Sequence, residues 1–350
     1  MSIQRIVDYV MYSPANTNKA VLISLLETFQ SEIEGKGKSK DIGSLEKLTE
    51  ILNSEETNIQ IKLTSNLTLS EPLTISPGKT INIDMNGKTI NMGNQYVYVN
   101  NSSLSLEGNG TVQSSGRAVY VRNQGILTVN GANITSTANS AIDCSTNGHV
   151  IINDGTITAQ EVGVLATNGA TVEMNGGLVR TIDNFCIGGN GTSGKGGTII
   201  SINGGKLEGH ITSAGYVACG IYHPQDGILN ITGGEITGIG GCGVLMRAGK
   251  LNMTGGTVIA TGEPDLIGKV GDSKIVVGPN GIIYDQSAHY PDNQNLSVDI
   301  NGGIVVGINE SIAILADEGH TAAVNVAAGT QIPAYGGEVI YYDGGDISGN

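Results

Sequence analysis

The chain has 350 residues, a formal net charge of −14 and 53 glycines, with no Trp and only two Phe. The glycines lack the every-third-residue period of collagen and the apolar fraction is ordinary, so the composition indicates a globular chain with an aliphatic core. An acidic chain without a basic run lacks the positive footprint that nucleic acid and anionic lipid require. No apolar run is close in length to the about 20 residues that a membrane span requires. We therefore expect neither nucleic acid nor a membrane as a partner.

Residues 1–34 predict an extended arm followed by a helix. Residues 1–8 contain an Asp and then turn polar, which is unlike a signal peptide, so we do not expect export by the usual route. Residues 14–18 have the composition of a turn with helix-capping side chains, so a turn is expected there. An apolar stripe at helical spacing then runs to the glycine at position 35, and it comprises Val21, Leu22, Leu25, Leu26, Phe29 and Ile33. We predict that this first helix contacts other chains.

Residues 35–56 predict a linker and a capping helix. Residues 35–41 are polar and contain two glycines, which is typical of a flexible linker. Ser44 is a helix-capping residue, and the apolar side chains Leu45, Leu48, Ile51 and Leu52 follow it on one side of a short helix. Because an exposed solenoid end needs a cap, we expect this second helix to cover one.

Residues 57–350 contain a repeated phrase, seen at residues 172–179 as Val-Glu-Met-Asn-Gly-Gly-Leu-Val and at residues 200–207 as Ile-Ser-Ile-Asn-Gly-Gly-Lys-Leu. The second apolar residue of the phrase recurs at spacings of 21, 23, 23, 22, 28, 29 and 22, at Met85, Leu106, Val129, Ile152, Met174, Ile202, Ile231 and Met253. A period just above twenty residues indicates a solenoid.

The phrase predicts short strands that end at tight turns. Apolar and polar residues alternate with period two, and the glycines supply the positive φ of a turn. A second strand phrase follows at the same period, at residues 118–121, 141–144, 163–166, 220–223 and 243–246. Coils of this length bury their apolar faces only by stacking. We predict an all-β chain, a right-handed single-stranded parallel β-helix of roughly a dozen coils with a short helical N-terminal arm.

The four cysteines fall within the predicted coils, at Cys144, Cys186, Cys219 and Cys242. Cys219 and Cys242 occupy the same place one coil apart, which favours an internal ladder of small apolar side chains; a disulfide is the alternative. The chain has no Cys-x-x-Cys motif, and its five histidines lack ligand spacing. We expect neither a metal nor another cofactor.

Catalytic residues are not evident along the coils. A glycoside hydrolase needs two carboxylates roughly 5–10 Å apart. The candidate acids do not recur at one coil position, and the arginines are scattered as well: Asp143, Glu161, Asp183, Glu208 and Asp226, with Arg117, Arg122, Arg180 and Arg247. We predict that the chain is not an enzyme, with a β-helix polysaccharide lyase or hydrolase of the tailspike type as the alternative.

The most suggestive surface lies in the second of the two long coils. Aromatic side chains with polar neighbours stack on sugars, and this coil contains Tyr216, Tyr222, His223 and Asp226. We predict glycan contact for these four residues, against the alternative that the tyrosines only pack.

Residues 7–29 resemble the N-terminal segment of tailed-phage head fibre proteins. The resemblance covers about 25 residues, and Tyr9, Val10, residues 13–18 and 20–22, Leu25 and Leu26 carry it. It implies a virion structural protein that is assembled in the host cytoplasm and decorates the capsid surface, seated on the major capsid protein. A homotrimer is expected, with a dimer open because no long heptad run specifies three strands.

The resemblance assigns capsid binding and oligomerisation to Tyr9, Pro14, Asn16, Asn18, Val21, Leu22, Leu25, Leu26 and Phe29. The predicted rod would project outward and contact host-surface or mucosal glycans. A secreted bacterial adhesin is a third hypothesis, and the missing signal peptide counts against it.

Overall fold

The computed structural model describes residues 39–210, 219–262, 278–286, 295–315 and 321–332, and the backbone of 268–270, 273–275, 339–342 and 346–347. The predicted arm and helix of residues 1–34, with every residue assigned to capsid binding, lie outside the described residues. Tyr216 also lies outside them.

The described chain has one helix, α1 (Leu45–Leu52), and is otherwise built of short strands. In chain order the strands are β1 Lys40–Ile42, β2 Asn58–Leu63, β3 Leu67–Thr68, β4 Leu73–Ile75, β5 Thr80–Asp84, β6 Thr89–Asn91, β7 Val97–Asn100, β8 Ser103–Glu107, β9 Thr111–Ser114, β10 Val119–Arg122, β11 Ile126–Ser136, β12 Ile142–Cys144, β13 His149–Ala159, β14 Val164–Ala166, β15 Thr171–Met174, β16 Leu178–Thr181, β17 Ile187–Gly188, β18 Thr198–Ile202, β19 Lys206–His210, β20 Cys219–His223, β21 Gly227–Ile231, β22 Glu235–Ile239, β23 Cys242–Met246, β24 Lys250–Met253, β25 Thr257–Thr261, β26 Gly268–Val270, β27 Ser273–Ile275, β28 Ile282–Asp285, β29 Ser297–Ile300, β30 Ile304–Val306, β31 Ile312–Leu315, β32 Thr321–Ala322, β33 Val324–Val326, β34 Val339–Tyr342 and β35 Asp346–Ile347.

A complete coil contributes one strand to each of three faces, whereas the first rung contributes only β1. The first face contains β1, β2, β5, β8, the start of β11 and β13, and then β15, β18, β21, β24, β29 and β33. The second contains β3, β6, β9, the ends of β11 and β13, and β16, β19, β22, β25 and β30. The third face is a sheet of eleven strands, from β4 to β34. All pairings within these faces are parallel, so the predicted all-β parallel β-helix is confirmed.

The interior of the coils is a single aliphatic core. Burial alternates along the strands, as in β5, where Ile81 and Ile83 are 0% and 1% exposed. One contiguous cluster of buried side chains extends from Ile42 to Val324. Because the same apolar position recurs in each coil, equivalent side chains of successive coils stack in rows along the axis. On the third face such a row contains Val97, Val119, Ile142, Val164, Ile187, Ile221, Val244, Ile282 and Ile312.

The polar residue of the repeated phrase forms an amide ladder outside the core. Asn153 Nδ2 donates to Asn130 Oδ1 at 2.8 Å, and Asn175 Nδ2 donates to Asn153 Oδ1 at 2.9 Å. Asn203 continues the ladder by donating to Asn175 Oδ1 at 2.9 Å, and Thr232 Oγ1 donates to Asn203 Oδ1 at 2.8 Å. Each coil is thereby fixed to the next at the corner between the first and second faces.

Helix α1 packs against the first coil. Ser44 is its N-cap and accepts a hydrogen bond from the Lys47 backbone N–H at 3.3 Å. The side chains of Leu48 and Leu52 are 0% and 2% exposed and belong to the same core cluster as the coils. Strand β1 pairs with β2. Lys40 and Asp41 are therefore part of the first rung, and the prediction of a linker through residue 41 is wrong at these two positions.

The four cysteine thiols are buried and free. Cys144 and Cys186 belong to the central core cluster. Cys219 and Cys242 pair in register on β20 and β23, where the Cys242 thiol donates to Cys219 Sγ at 3.0 Å. These two lie in a second apolar cluster with Phe185.

Candidate functional site

The outer side of the third face carries a cluster of aromatic and charged side chains over β7, β10 and β12. Thr74, Tyr98, Tyr120 and Asp143 are register partners on successive strands, so they form one outward row. Neighbouring strands are about 4.8 Å apart, which brings the side chains of such a row into contact. Together with Tyr96, Arg117 and Arg122, the residues Tyr98, Tyr120 and Asp143 define what we call the Tyr–Arg site.

Asp143 holds the charged part of the Tyr–Arg site together. Arg122 Nη2 lies 2.8 Å from Asp143 Oδ1, and Arg117 Nη1 lies 3.3 Å from Asp143 Oδ2. Arg122 Nη1 also donates to the Asp143 backbone carbonyl at 2.7 Å and to the Val121 carbonyl at 3.2 Å. Arg122 is therefore fixed by the strands beneath it. Two guanidinium groups face one carboxylate, which leaves an excess positive charge at this position.

Tyr120 lies between the two arginines. The Arg122 and Arg117 guanidinium carbons are 5.2 and 5.9 Å from the centroid of the Tyr120 ring, within the range of a cation–π contact. The Tyr96 and Tyr120 ring centroids are 4.8 Å apart at an interplanar angle of 72°, an edge-to-face pair. The rings and guanidinium groups thus hold one another in place.

An open cavity of about 360 Å³ lies over the site and is lined by Thr74, Tyr96, Tyr98, Tyr120 and Arg122. Its volume is in the range of small-ligand pockets, about 300–1,000 Å³. The three tyrosines and both arginines are partly exposed, whereas Asp143 is buried. The accessible surface therefore consists of aromatic rings and hydrogen-bond donors, a combination suited to binding a polar ring-shaped molecule.

The Tyr–Arg site was only partly visible in the sequence. The expected site residues do not include Tyr96, Tyr98 and Tyr120, and the expectation that the arginines are scattered is wrong for Arg117 and Arg122, which both contact Asp143. A signal was available, because Tyr98, Tyr120 and Asp143 are separated by about one coil each. This spacing places the three residues in one row when successive coils are aligned.

The three described residues among the four predicted to contact a glycan do not form one surface. Tyr222 is 8% exposed and packs with Phe185, whose ring centroid is 5.1 Å away. His223 is 0% exposed and faces the interior, where its Nδ1 is 2.9 Å from the Ala248 carbonyl. Burial lowers the pKa of His223, so its ring is neutral at pH 7. We withdraw Tyr222 and His223 as glycan contacts, because buried side chains offer a sugar no surface.

Asp226, the last of the four, is exposed and lines a different open cavity of about 500 Å³. That cavity lies over the first face, beside Ile228 and Lys250. Glycan contact through Asp226 stays a prediction.

The candidate catalytic acids lie on different faces. Asp143 is on the third face, whereas Glu208 is on the second and is paired with Arg180 and Lys206. Burial of Glu208 disfavours its charged form, but the hydrogen bonds from Arg180 and Lys206 outweigh this and lower the pKa of Glu208. Asp183 accepts a hydrogen bond from Gln160 at 2.8 Å.

Arg247 forms a buried ion pair with Asp285, with 2.8 Å between Nε and Oδ2. Its guanidinium carbon is 5.9 Å from the Tyr222 ring centroid, in the buried part of the third face.

Among the residues that the structure describes, no group of three or more His, Cys, Asp or Glu side chains could hold a metal ion. No described helix is long and apolar enough to span a membrane. No protein-family model matches the chain, and neither the search of curated proteins nor the search of solved structures gives a match.

Proposed function

We propose that this chain is a virion structural protein, a head fibre that decorates the capsid surface and contacts host-surface or mucosal glycans. In this proposal residues 1–34 form the oligomeric base on the major capsid protein, with three copies expected and two as the alternative. The β-helix is the part that projects from the capsid. Assembly takes place in the host cytoplasm.

The observation that carries the proposal is the uninterrupted stack of coils. The third face alone has eleven strands in parallel register, and one core runs beneath it. Ten spacings of about 4.8 Å give a rod roughly 50 Å long. Helix α1 packs on the coil nearest to the predicted base. Such a rod presents a surface at a distance from its attachment point, which is what a decorating fibre has to do.

A polysaccharide lyase or hydrolase is the second candidate, and the open Tyr–Arg site is the observation that favours it. Against it, the Asp143 carboxylate is ion-paired with both Arg117 and Arg122. A carboxylate held in this way is suited to positioning the arginines rather than to exchanging protons with a substrate. Incubating the chain with acidic polysaccharides and measuring new reducing or unsaturated ends separates the candidates, and turnover abolished by Asp143→Asn would favour the enzyme.

The fibre proposal is tested by deleting residues 1–34 and measuring native mass and capsid binding. The deletion leaves β1 and α1 in place, so the first rung and its hydrophobic contacts are retained. We expect the full chain to be an oligomer that binds capsids, and the shortened chain to be a monomer that does not. Circular dichroism of the two proteins controls for folding.

A monomeric full-length chain, or capsid binding that survives the deletion, would contradict the proposed role of residues 1–34. If both proteins are oligomers, the rods themselves associate, and the base lies elsewhere.

A further inference from the structure

The Tyr–Arg site combines two features that together select a ligand. Partly exposed tyrosine rings provide flat apolar surfaces, against which the C–H face of a sugar ring packs while its hydroxyl groups stay in water. The cavity of about 360 Å³ lies directly over Tyr96, Tyr98 and Tyr120. A neutral sugar would use these rings alone.

The second feature is the guanidinium group of Arg117, which is partly exposed and has a long ion pair to Asp143. The Arg117 side chain is 36% exposed as a whole, although its Nε is buried and is not the group that a ligand would reach. Its ion pair with Asp143 is also the longer of the two, at 3.3 Å against 2.8 Å for Arg122. The exposed part of the Arg117 guanidinium group thus has donor capacity left for an anion, whereas Arg122 is occupied by Asp143 and two backbone carbonyls.

The charge of the whole chain limits how large that anion is. The two positive charges of Arg117 and Arg122 and the one negative charge of Asp143 leave a local charge of +1. The chain as a whole, however, carries a net charge of −14. A long polyanion would be repelled by the remainder of the molecule, while a single carboxylate would meet the local excess only.

We propose that the Tyr–Arg site binds the terminal carboxylated sugar of a glycan, with the sugar ring on Tyr98 and its neighbours and the carboxylate at Arg117. This inference rests on the glycan contact in the proposed function and names its chemical class. Asp143 offsets part of the charge of the two arginines and so limits their affinity for an anion. Sialic acid and uronic acid ends share this chemistry.

The test is calorimetric titration of the full-length chain with 3′-sialyllactose, with a disaccharide that ends in glucuronic acid, and with lactose. We expect at least one acidic probe to bind, and lactose to bind at least tenfold more weakly, since a hydrogen bond to a charged group accounts for roughly that factor. The two acidic probes distinguish the sugar sources. Equal affinity for lactose and the acidic probes, or no binding of any probe, would overturn the proposal.

Variants localise the binding. Arg117→Gln should weaken the acidic probe roughly tenfold to hundredfold, and Tyr98→Ala roughly threefold to tenfold, while Tyr98→Phe keeps the ring and most of the affinity. The matched control is Arg180→Gln, which removes an exposed arginine from the second face and should leave affinity unchanged. Equal loss from Arg180→Gln and Arg117→Gln would show a general charge effect and overturn the assignment.

Asp143→Asn should change the affinity for the acidic probe in the opposite direction. Removing the carboxylate leaves both arginines uncompensated, so the acidic probe should bind more tightly, whereas lactose should be unaffected. Weaker binding of the acidic probe by a folded Asp143→Asn chain would overturn the assigned role of Asp143. None of these titrations involves the capsid, so a failure here is distinguishable from failed capsid binding after deletion of residues 1–34.

Discussion

At the residue scale, the turn glycines show how closely successive coils pack. Gly205 follows the repeated Asn-Gly pair with a φ of 78°, and a Cβ built there would lie 2.7 Å from the Gly176 carbonyl carbon. Any other residue at this position would have to adopt an unfavourable positive φ. Its Cβ would also clash with the backbone of the neighbouring coil. The turn glycines therefore serve packing between coils as well as chain reversal.

Substitution of two glycines separates these effects. Gly78 has a φ of 79°, nearly that of Gly205, but no atom lies within 4 Å of a Cβ built on it. We expect Gly78→Ala to lower the free energy of unfolding by about 1–2 kcal/mol, the cost of a left-handed backbone. Gly205→Ala should cost clearly more, because the coils must also move apart. Urea denaturation of both variants measures the difference, and equal losses would show that contact between coils contributes little.

The buried thiols give a second prediction at this scale. Burial raises the pKa of Cys144 and of Cys186 to about 12, and it also raises the pKa of Cys219. Because the thiolate is the reactive form, these thiols should resist iodoacetamide at pH 8 in the native chain and react fully in guanidinium chloride. Intact-mass spectrometry counts the modified thiols. Rapid native labelling of Cys144 or Cys186 would contradict their burial.

At the scale of elements, α1 and the outer ladders complete the coils. The helix adds Leu48 and Leu52 to an aliphatic core that would otherwise end at the first rung. On the second face, Arg180, Glu208, Lys206 and Glu235 form a chain of ion pairs across β16, β19 and β22. The helix excludes water from the end of the core, while the ion pairs connect coils at the surface.

Leu48→Ala tests the contribution of the helix. A fully buried Leu→Ala change costs about 2–5 kcal/mol, and we expect a value in the lower half, since the end of a solenoid relaxes more easily than its middle. The exposed Lys47→Ala in the same helix is the control and should change little. Thermal and urea unfolding measure both. A loss equal to that of Lys47→Ala would mean that the helix does not protect the core.

The ion pairs of Glu208 predict a pH dependence. The folded pKa of Glu208 is lowered, so its contribution to stability is fully present above the unfolded pKa of about 4.3 and is lost as the pH falls through the folded value. Glu208→Gln should therefore reduce the melting temperature at pH 7 and converge with the unmodified chain in acid. A constant difference across this range would show that the charge of Glu208 is not responsible.

At the scale of the whole molecule, each coil contacts only its neighbours. Stability in such an array is a sum of coil and interface terms, and the end coils lack one interface. The described coils from β2 to β33 share one core, so the central coils are the best supported. The Tyr–Arg site, on β7, β10 and β12, lies toward the end nearest α1.

Hydrogen exchange should follow this arrangement. Amides of β11, β13 and β15 should exchange most slowly, and those of β30 and β33 faster, because terminal coils open at lower free energy. The rung of β1 and β2 should be intermediate because α1 packs on it. Mass spectrometry of peptides from the native chain measures the gradient, and uniform protection along the axis would indicate a single cooperative unit instead.

The sequence by itself determined the solenoid, the burial of the repeated aliphatic positions and the Ser44 cap. These features depend on contacts at a fixed spacing of about one coil, so a local pattern repeated along the chain specifies them. The tertiary structure alone decided which side chains reach the outward row from outside the strands and which side chains are covered. Arg117 precedes β10 and still reaches the Asp143 carboxylate, whereas Tyr222 and His223 are buried because both sides of β20 are covered. These contacts arise from the stacking of whole coils, which no single stretch of sequence contains.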